Sequence, residues 1–368
     1  MNKQQTHLIE QIHQSPFKFV IISSGGGTNA ISKILSVAGA SKSMLEAYVP
    51  YAKESIDYYL LKKPDRYCSQ ETALSMAAKA FSAAKKIDPM TSPKKLLGIS
   101  VTASLATSYS KKGEHQFYIA IQTQEYSQTF SYQFIKGELT REEEEKVVAD
   151  HLINAIAQAC MVELESEQAP MVFTTVQAKN NWIKLVNDEI SFDASSSRTP
   201  ELIFPGSFNP LHSGHHAMQT LAEARTGLEM VYEVCIQNAD KPPLSYHEID
   251  HILKQFDEDR HWVLTKAGKF SDKAELFPNC VFIIGADTLS RIVDEKFYLN
   301  RKDMMNQLDL FNSHNINFLV FGRKVKSSFV TLSDVILPEH IENRFMGFDE
   351  DVFRDDISST SIRLEAEG

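Results

Sequence analysis

The chain has 368 residues, a formal net charge of -10, and 43% hydrophobic against 23% charged residues. That length predicts two domains, each able to bury its own core, and the acidic balance argues against a general nucleic-acid binder while allowing a local basic nucleotide pocket. No apolar run approaches membrane-spanning length, and the opening Met1-Asn2-Lys3 lacks the apolar core of a signal peptide, so a cytoplasmic protein without a membrane partner is expected. Cys68, Cys160, Cys235 and Cys280 have no pairing or ligand spacing, which predicts free thiols and no zinc.

In chain order, Phe19-Val20-Ile21-Ile22 reads as a strand running through Ser23-Ser24 into the glycine-rich turn Gly25-Gly26-Gly27 and then a helix. From Glu142 to Met161, Val148, Leu152, Ile156 and Ala159 recur at helical spacing behind an acidic start, predicting an amphipathic helix that closes a first domain over 1–165. The Glu run reads as a solvated first turn. Residues 166–200 read as a connector, with Trp182 to Val186 and Glu189 to Phe192 forming a small hairpin or connector around Asn187-Asp188, followed by a loop over 193–200. From 201 to 368 strand-like and helix-like segments alternate, among them Met230 to Ile236, Val281 to Ile284 and Phe318 to Phe321. Such alternation predicts an α/β domain, a parallel sheet with helices on both faces.

The most informative segment follows the apolar run Leu202-Ile203-Phe204. It reads Gly206-Ser207-Phe208-Asn209-Pro210-Leu211-His212-Ser213-Gly214-His215. Gly206 permits a sharp turn that brings amides toward an anion. Pro210 biases Asn209 away from helix, so the helix is expected to start near Leu211 to Ser213. Three residues apart on a first turn, His212 and His215 share a face beside unpaired backbone donors. This segment resembles the signature of the nucleotidylyltransferase superfamily, which implies a Rossmann-like parallel sheet and transfer of a nucleoside monophosphate from a triphosphate to a phosphate or phosphorylated alcohol. The resemblance makes His212 and His215 the catalytic donors. It assigns Gly206, Ser207 and Phe208 as amide donors, with Asn209 and Gly214 in the same binding turn.

Further segments extend it. Ile357-Ser358-Ser359-Thr360-Ser361-Ile362-Arg363 resembles the family's C-terminal phosphate motif, implying that Ser358, Ser359, Thr360 and Arg363 hold the leaving pyrophosphate. Lys241-Pro242-Pro243-Leu244-Ser245 and Gly285-Ala286-Asp287 resemble segments of the pyridine-nucleotide adenylyltransferases, which implies that Lys241 and Asp287 contact the nucleotides. Where that subfamily often has a Trp, this chain has Phe297 and Tyr298. Gly322-Arg323 fits a family position and reads equally as a turn with a solvated Arg. A phosphomonoester acceptor is already anionic near pH 7, so no base is required. Mg2+ is expected to travel with ATP, since no carboxylate cluster dictates a metal cage. The resemblance implies adenylyl transfer to nicotinate or nicotinamide mononucleotide, in NAD biosynthesis. Two alternatives stand: a cytidylyltransferase or pantetheine-phosphate adenylyltransferase, and a non-catalytic nucleotide sensor or scaffold.

The first domain has its own resemblance. The turn at Ser23 to Thr28, with Ser36 to Ser41, Tyr48-Val49-Pro50-Tyr51, Cys68 to Ala73 and Gly98 to Thr102, resembles in order and spacing the C-terminal domain of the competence-damage-inducible protein family. That implies a deamidase of nicotinamide mononucleotide with Ser23 as nucleophile, and a site including Gly26, Gly27 and Tyr51. The chain departs from the pattern. The family's turn Glu stands as Ile22 and its Thr as Gly25, Ile56 occupies the position five after Tyr51 where a lysine belongs, and Ala103 to Thr107 replace a glycine- and proline-rich loop. A serine without an activating partner is a poor nucleophile. The departures favour structural support, homo-oligomerisation or ligand sensing over deamidation.

Overall fold

The structure is a computed structural model and describes residues 1–109, 111–164, 171–238, 241–325, 328–355, 357, 359 and 362–363. Contacts divide the chain into two compact units: 1–183 with 239–250, and 184–238 with 251–368. Among the described residues, no helix is long and apolar enough to cross a membrane.

The first unit contains α1 (Lys3–Gln14), β1 (Lys18–Ser24), α2 (Thr28–Ser36), β2 (Met44–Tyr48), α3 (Lys53–Leu60), α4 (Gln70–Ile87), β3 (Leu96–Ser104), β4 (Gln116–Gln122), β5 (Tyr126–Gln133), α5 (Arg141–Ala159) and β6 (Thr174–Gln177). Its sheet runs β2-β1-β3-β4-β5-β6, parallel through the first three strands and antiparallel thereafter. β1 is apolar on both sides because both are covered. Phe19 and Ile21 pack with α1, α2 and α5, whereas Val20 and Ile22 pack with α3 and α4.

Helix α5 forms where the apolar spacing predicts it. Thr140 and Glu143 build its capping box, the Thr140 amide donating to Glu143 Oε2 at 2.8 Å and the Glu143 amide to Thr140 Oγ1 at 3.3 Å. The expected solvated Glu run is corrected, because Glu144 is fully buried and Glu145 reaches the start of α2. A helix also replaces the hairpin reading of Trp182 to Val186: these residues lie in α6 (Asn180–Val186), where Trp182 is buried and stacks on Tyr246 at 6.1 Å. Burial of one large ring on a helical turn outweighs the weak strand pattern.

The second unit contains β7 (Phe192–Ala194), β8 (Leu202–Pro205), α7 (Ser213–Thr226), β9 (Met230–Cys235), α8 (Tyr246–Leu253, of which the part from 251 on belongs here), β10 (His261–Thr265), α9 (Phe270–Leu276), β11 (Val281–Gly285), α10 (Ala286–Ile292), α11 (Arg301–Ser313), β12 (Asn317–Phe321), the short hairpin β13 (Arg323–Val325) and β14 (Ser328–Val330), and β15 (Phe345–Phe348). Seven strands order as β15-β12-β11-β8-β9-β10-β7. All neighbours are parallel except β7, which runs antiparallel to β10 and so draws Asp193 and Ala194 out of the expected loop. The sheet is Rossmann-like. Ile203, Phe282, Ile284, Phe318 and Val320 form a core with Phe277, Leu289, Leu308 and Phe311 from α9 to α11 and their flanks.

Candidate functional site

In the second unit the chain leaves β8 through α7 toward β9 on one side, and later returns to place β11 on the other side of β8. Open α/β sheets bind ligands outside the carboxyl ends of the strands at such a reversal, here those of β8 and β11. The segment 206–215 leaves β8 there, and Gly285-Ala286-Asp287 joins β11 to α10 at the neighbouring end. Helix α7 begins at Ser213, within the expected range, with His212 as its N-cap residue.

The glycines of the turn serve a purpose different from the one expected. Gly206 does not have a positive φ, and its amide donates to Glu233 O at 2.9 Å, so it extends the sheet and is not free for an anion. Glycine is required because a Cβ there would lie 2.4 Å from the Phe208 ring. Phe208 is buried and takes the left-handed conformation at φ 42. At Gly214, a Cβ would lie 2.5 Å from Asp355 Oδ2, so the missing side chain lets that carboxylate approach the start of α7.

His212 and His215 are brought together, their ring centroids 3.8 Å apart. The His212 amide donates to His215 Nδ1 at 3.2 Å. Burial, followed by the charges of His212, Arg323 and His216, pushes His215 down to about 3, so its ring is neutral at pH 7. A neutral ring whose Nδ1 accepts carries its proton on Nε2, which makes Nε2–H the free donor. His215 is held edge-on by Phe204 at 5.7 Å and Phe208 at 5.1 Å. His212 is also lowered, by burial first, while Asp355 opposes and Arg323 reinforces the shift. Its Nδ1 is buried with no hydrogen-bond partner among the described residues.

Asp287 shows the same feature. Its Oδ1 is buried with no hydrogen-bond partner among the described residues, and Arg323 Nε stands 3.9 Å away. Arg323, which the sequence left open between a family position and a solvated turn residue, opens β13 beside Asp287, and its charge lowers both histidines. From the C-terminal segment, Ser359 Oγ donates to Pro210 O at 2.9 Å, and Arg363 Nη1 donates to Asn209 O. Both thus support the turn's backbone. Ser358 and Thr360 lie outside the described residues. Lys241 is exposed, in the segment that groups with the first unit.

One site residue had no sequence signal. Gln255 Nε2 donates to Phe208 O at 2.8 Å, and the Leu211 amide donates to Gln255 Oε1 at 2.8 Å. One amide group thereby ties both ends of the turn that precedes the histidines, and with Ser359 and Arg363 it occupies Phe208 O, Asn209 O, Pro210 O and Leu211 N. Losing it leaves two backbone groups to find water or stay unpaired. Gln255→Ala is expected to lower kcat/KM of the second unit by about 10-fold, with a smaller loss in Gln255→Glu, which keeps the acceptor. Steady-state kinetics on the two variants checks this.

In the first unit, the order of strands reverses between β1 and β3, so Ser23 to Gly27 also leave a switch point. Ser23 is fully buried and its Oγ donates to Gly26 O at 2.7 Å. No base contacts it among the described residues. Glu145 fills the start of α2: the Gly27 amide donates to its Oε2 at 2.7 Å and the Asn29 amide to its Oε1 at 3.0 Å. The turn therefore binds the chain's own carboxylate where an anionic ligand would sit. Gly26 is packed, a Cβ there falling 2.8 Å from Leu105 Cδ1, and Tyr51 is 67% exposed ahead of α3.

Residues 203–365 match the cytidylyltransferase-like family. No curated protein matches the sequence. Solved structures similar to the N-terminal part include the competence/damage-inducible protein from Agrobacterium tumefaciens, 13% identical with a TM-score of 0.35, covering 43% of this chain and 97% of that one. A competence-damaged protein (CinA) superfamily member from Escherichia coli is 14% identical with a TM-score of 0.35, covering 42% of this chain and 87% of its own. The competence or damage-inducible protein from Enterobacter asburiae is 14% identical with a TM-score of 0.35, covering 43% and 99%. The parallel sheet of the second unit, with its histidine-bearing turn after β8, thus lies in a cytidylyltransferase-like, nucleotidyltransferase domain.

Proposed function

We propose that the C-terminal domain transfers the adenylyl group of ATP to nicotinate or nicotinamide mononucleotide, giving a dinucleotide and pyrophosphate. The supporting observation is a pair of buried polar atoms without hydrogen-bond partners among the described residues, His212 Nδ1 and Asp287 Oδ1, on segments leaving the adjacent strands β8 and β11. Unmatched buried polar atoms are costly, and a ligand's polar groups are the natural compensation.

In this reading the acceptor phosphate attacks the α-phosphorus of ATP in line, and the proton inventory does not change because the attacking oxygen is already anionic. His215 Nε2–H and His212 stabilise charge developing on the phosphoryl oxygens, with the Ser207 and Phe208 amides beside them. These are donors fixed before the reaction, which favour the transition state over the substrate. Ser358, Ser359, Thr360 and Arg363 receive the pyrophosphate, Asp287 contacts the nucleotide, and Asn209 and Gly214 shape the turn. Mg2+ would neutralise the triphosphate when bound. The first domain then serves as support, oligomer contact or ligand sensor.

Pyrophosphate release from ATP or CTP with each mononucleotide, and with pantetheine phosphate, tests the assignment. Turnover of ATP with a pyridine mononucleotide is expected. Preference for CTP or for another acceptor would replace the substrate, and nucleotide binding without any turnover would make the domain a sensor.

A further inference from the structure

The first unit's switch point holds a second chemistry that the proposed transfer does not use. Five hydroxyls lie along the carboxyl-terminal halves of β1 and β3, from the middle of β3 at Ser100 to its end at Ser104. Four of them donate to backbone carbonyls: Ser23 to Gly26 O at 2.7 Å, Ser24 to Pro50 O at 2.9 Å, Ser100 to Ala73 O at 2.6 Å and Thr102 to Tyr67 O at 2.7 Å. Their protons are committed to fold and turn. Ser104, the last residue of β3, differs: it accepts from Lys111 Nζ at 2.7 Å, and its own proton has no acceptor among the described residues. Lys111 Nζ also donates to Leu105 O at 2.7 Å, which fixes the amine against the end of the strand. Both side chains are half-buried and so remain reachable from solvent.

We propose that Ser104 and Lys111 form a nucleophile and base pair that accepts the acyl group of an ester or amide. Serine needs a partner to remove its proton, and a neutral lysine amine at hydrogen-bond distance is one known solution. The Ser104 Oγ–carbon bond forms as the carbonyl carbon releases its leaving group. The serine proton passes to Lys111 Nζ and from there to the leaving group. Water then cleaves the ester, returning the proton to Ser104 and releasing the acid.

Burial favours the neutral amine relative to a free lysine, and in that form Lys111 Nζ can keep its bond to Leu105 O while accepting the proton of Ser104 Oγ. Burial lowers Lys111 from its ordinary value; Glu144 and Cys68 oppose that shift, while Arg141 and Lys136 add to it. Glu144 is itself occupied, accepting the Ala106 amide at 2.6 Å and facing His115 Nδ1 at 2.7 Å. Cys68, the other nucleophile nearby, is pushed up to about 11 by burial and stays a thiol. The proposal stands apart from nucleotidyl transfer and survives if that reading fails.

A fluorophosphonate probe tests it on the full chain, since its reaction forms the Oγ–phosphorus bond, expels fluoride and needs the same proton transfer. Intact mass and peptide mapping are expected to place one adduct on Ser104, absent in Ser104→Ala and unchanged in Ser23→Ala. Lys111→Arg keeps the charge and a donor but cannot take the proton, so labelling should slow by about 100-fold while thermal unfolding stays close to wild type. In the wild-type chain alone, the labelling rate should rise with an apparent pKa below the lysine value of 10.5, a readout independent of whether any variant folds. An adduct on Ser23, no adduct on Ser104, equal rates in Lys111→Arg, or a rate following an ordinary lysine would each overturn the assignment.

Discussion

Replacing His215 with alanine is expected to lower kcat for nucleotidyl transfer by about 100- to 1000-fold, with nucleotide Kd changing only a few-fold. The asymmetry follows from the ring's state. His215 is neutral, its Nδ1 accepts from the His212 amide, and the remaining Nε2–H matters most where negative charge builds up. His215→Gln places an amide donor near the same point and should recover part of the rate. Because the ring packs on Phe204 and Phe208, the alanine variant also leaves a cavity, so its unfolding midpoint must be measured beside its kinetics. A correctly folded His215→Ala chain with unchanged kcat would remove His215 from the mechanism.

The second large effect is on stability. Gly25→Ala is expected to destabilise the first unit by about 3 kcal/mol or more. Gly25 has φ +75, and a Cβ there would lie 1.9 Å from Ala103 O, a backbone atom of β3 that cannot move without disturbing the sheet. Gly137→Ala is the control, because Gly137 also has a positive φ, +85, but meets nothing within 4 Å; about 1 kcal/mol is expected there. Hydrogen exchange of β1 and β3 amides in the two variants separates torsional strain from the clash. Equal protection would mean that β3 yields to the extra methyl.

That comparison explains why glycine patterns read so differently from sequence and from structure. The run Gly25-Gly26-Gly27 has the look of a ligand turn, and in the fold its members allow close packing against Ala103, Leu105 and Val101. Gly206 reads as a torsional hinge with a free amide, yet it makes room for the Phe208 ring and its amide joins the sheet. Composition at a turn states that a side chain is absent. It does not state what occupies the space.

Sequence alone determined the elements whose geometry is local. A run of apolar residues followed by a turn and a proline makes β8, the 206–212 segment and α7 in order, and spacing of three on one helical turn brings His212 beside His215 without any distant contact. The apolar repeat of α5 and the two-domain α/β organisation are legible for the same reason. Only the tertiary structure decided the partners. Gln255 binds a turn 44 to 47 residues away, Glu144 leaves an acidic helix start for a buried position and Glu145 for the start of α2, and Lys111 meets Ser104 rather than Ser23. Such pairings carry no periodicity. They depend on which strand ends the sheet order sets side by side, and polar side chains that look solvated in sequence are chosen there by the backbone groups left to satisfy.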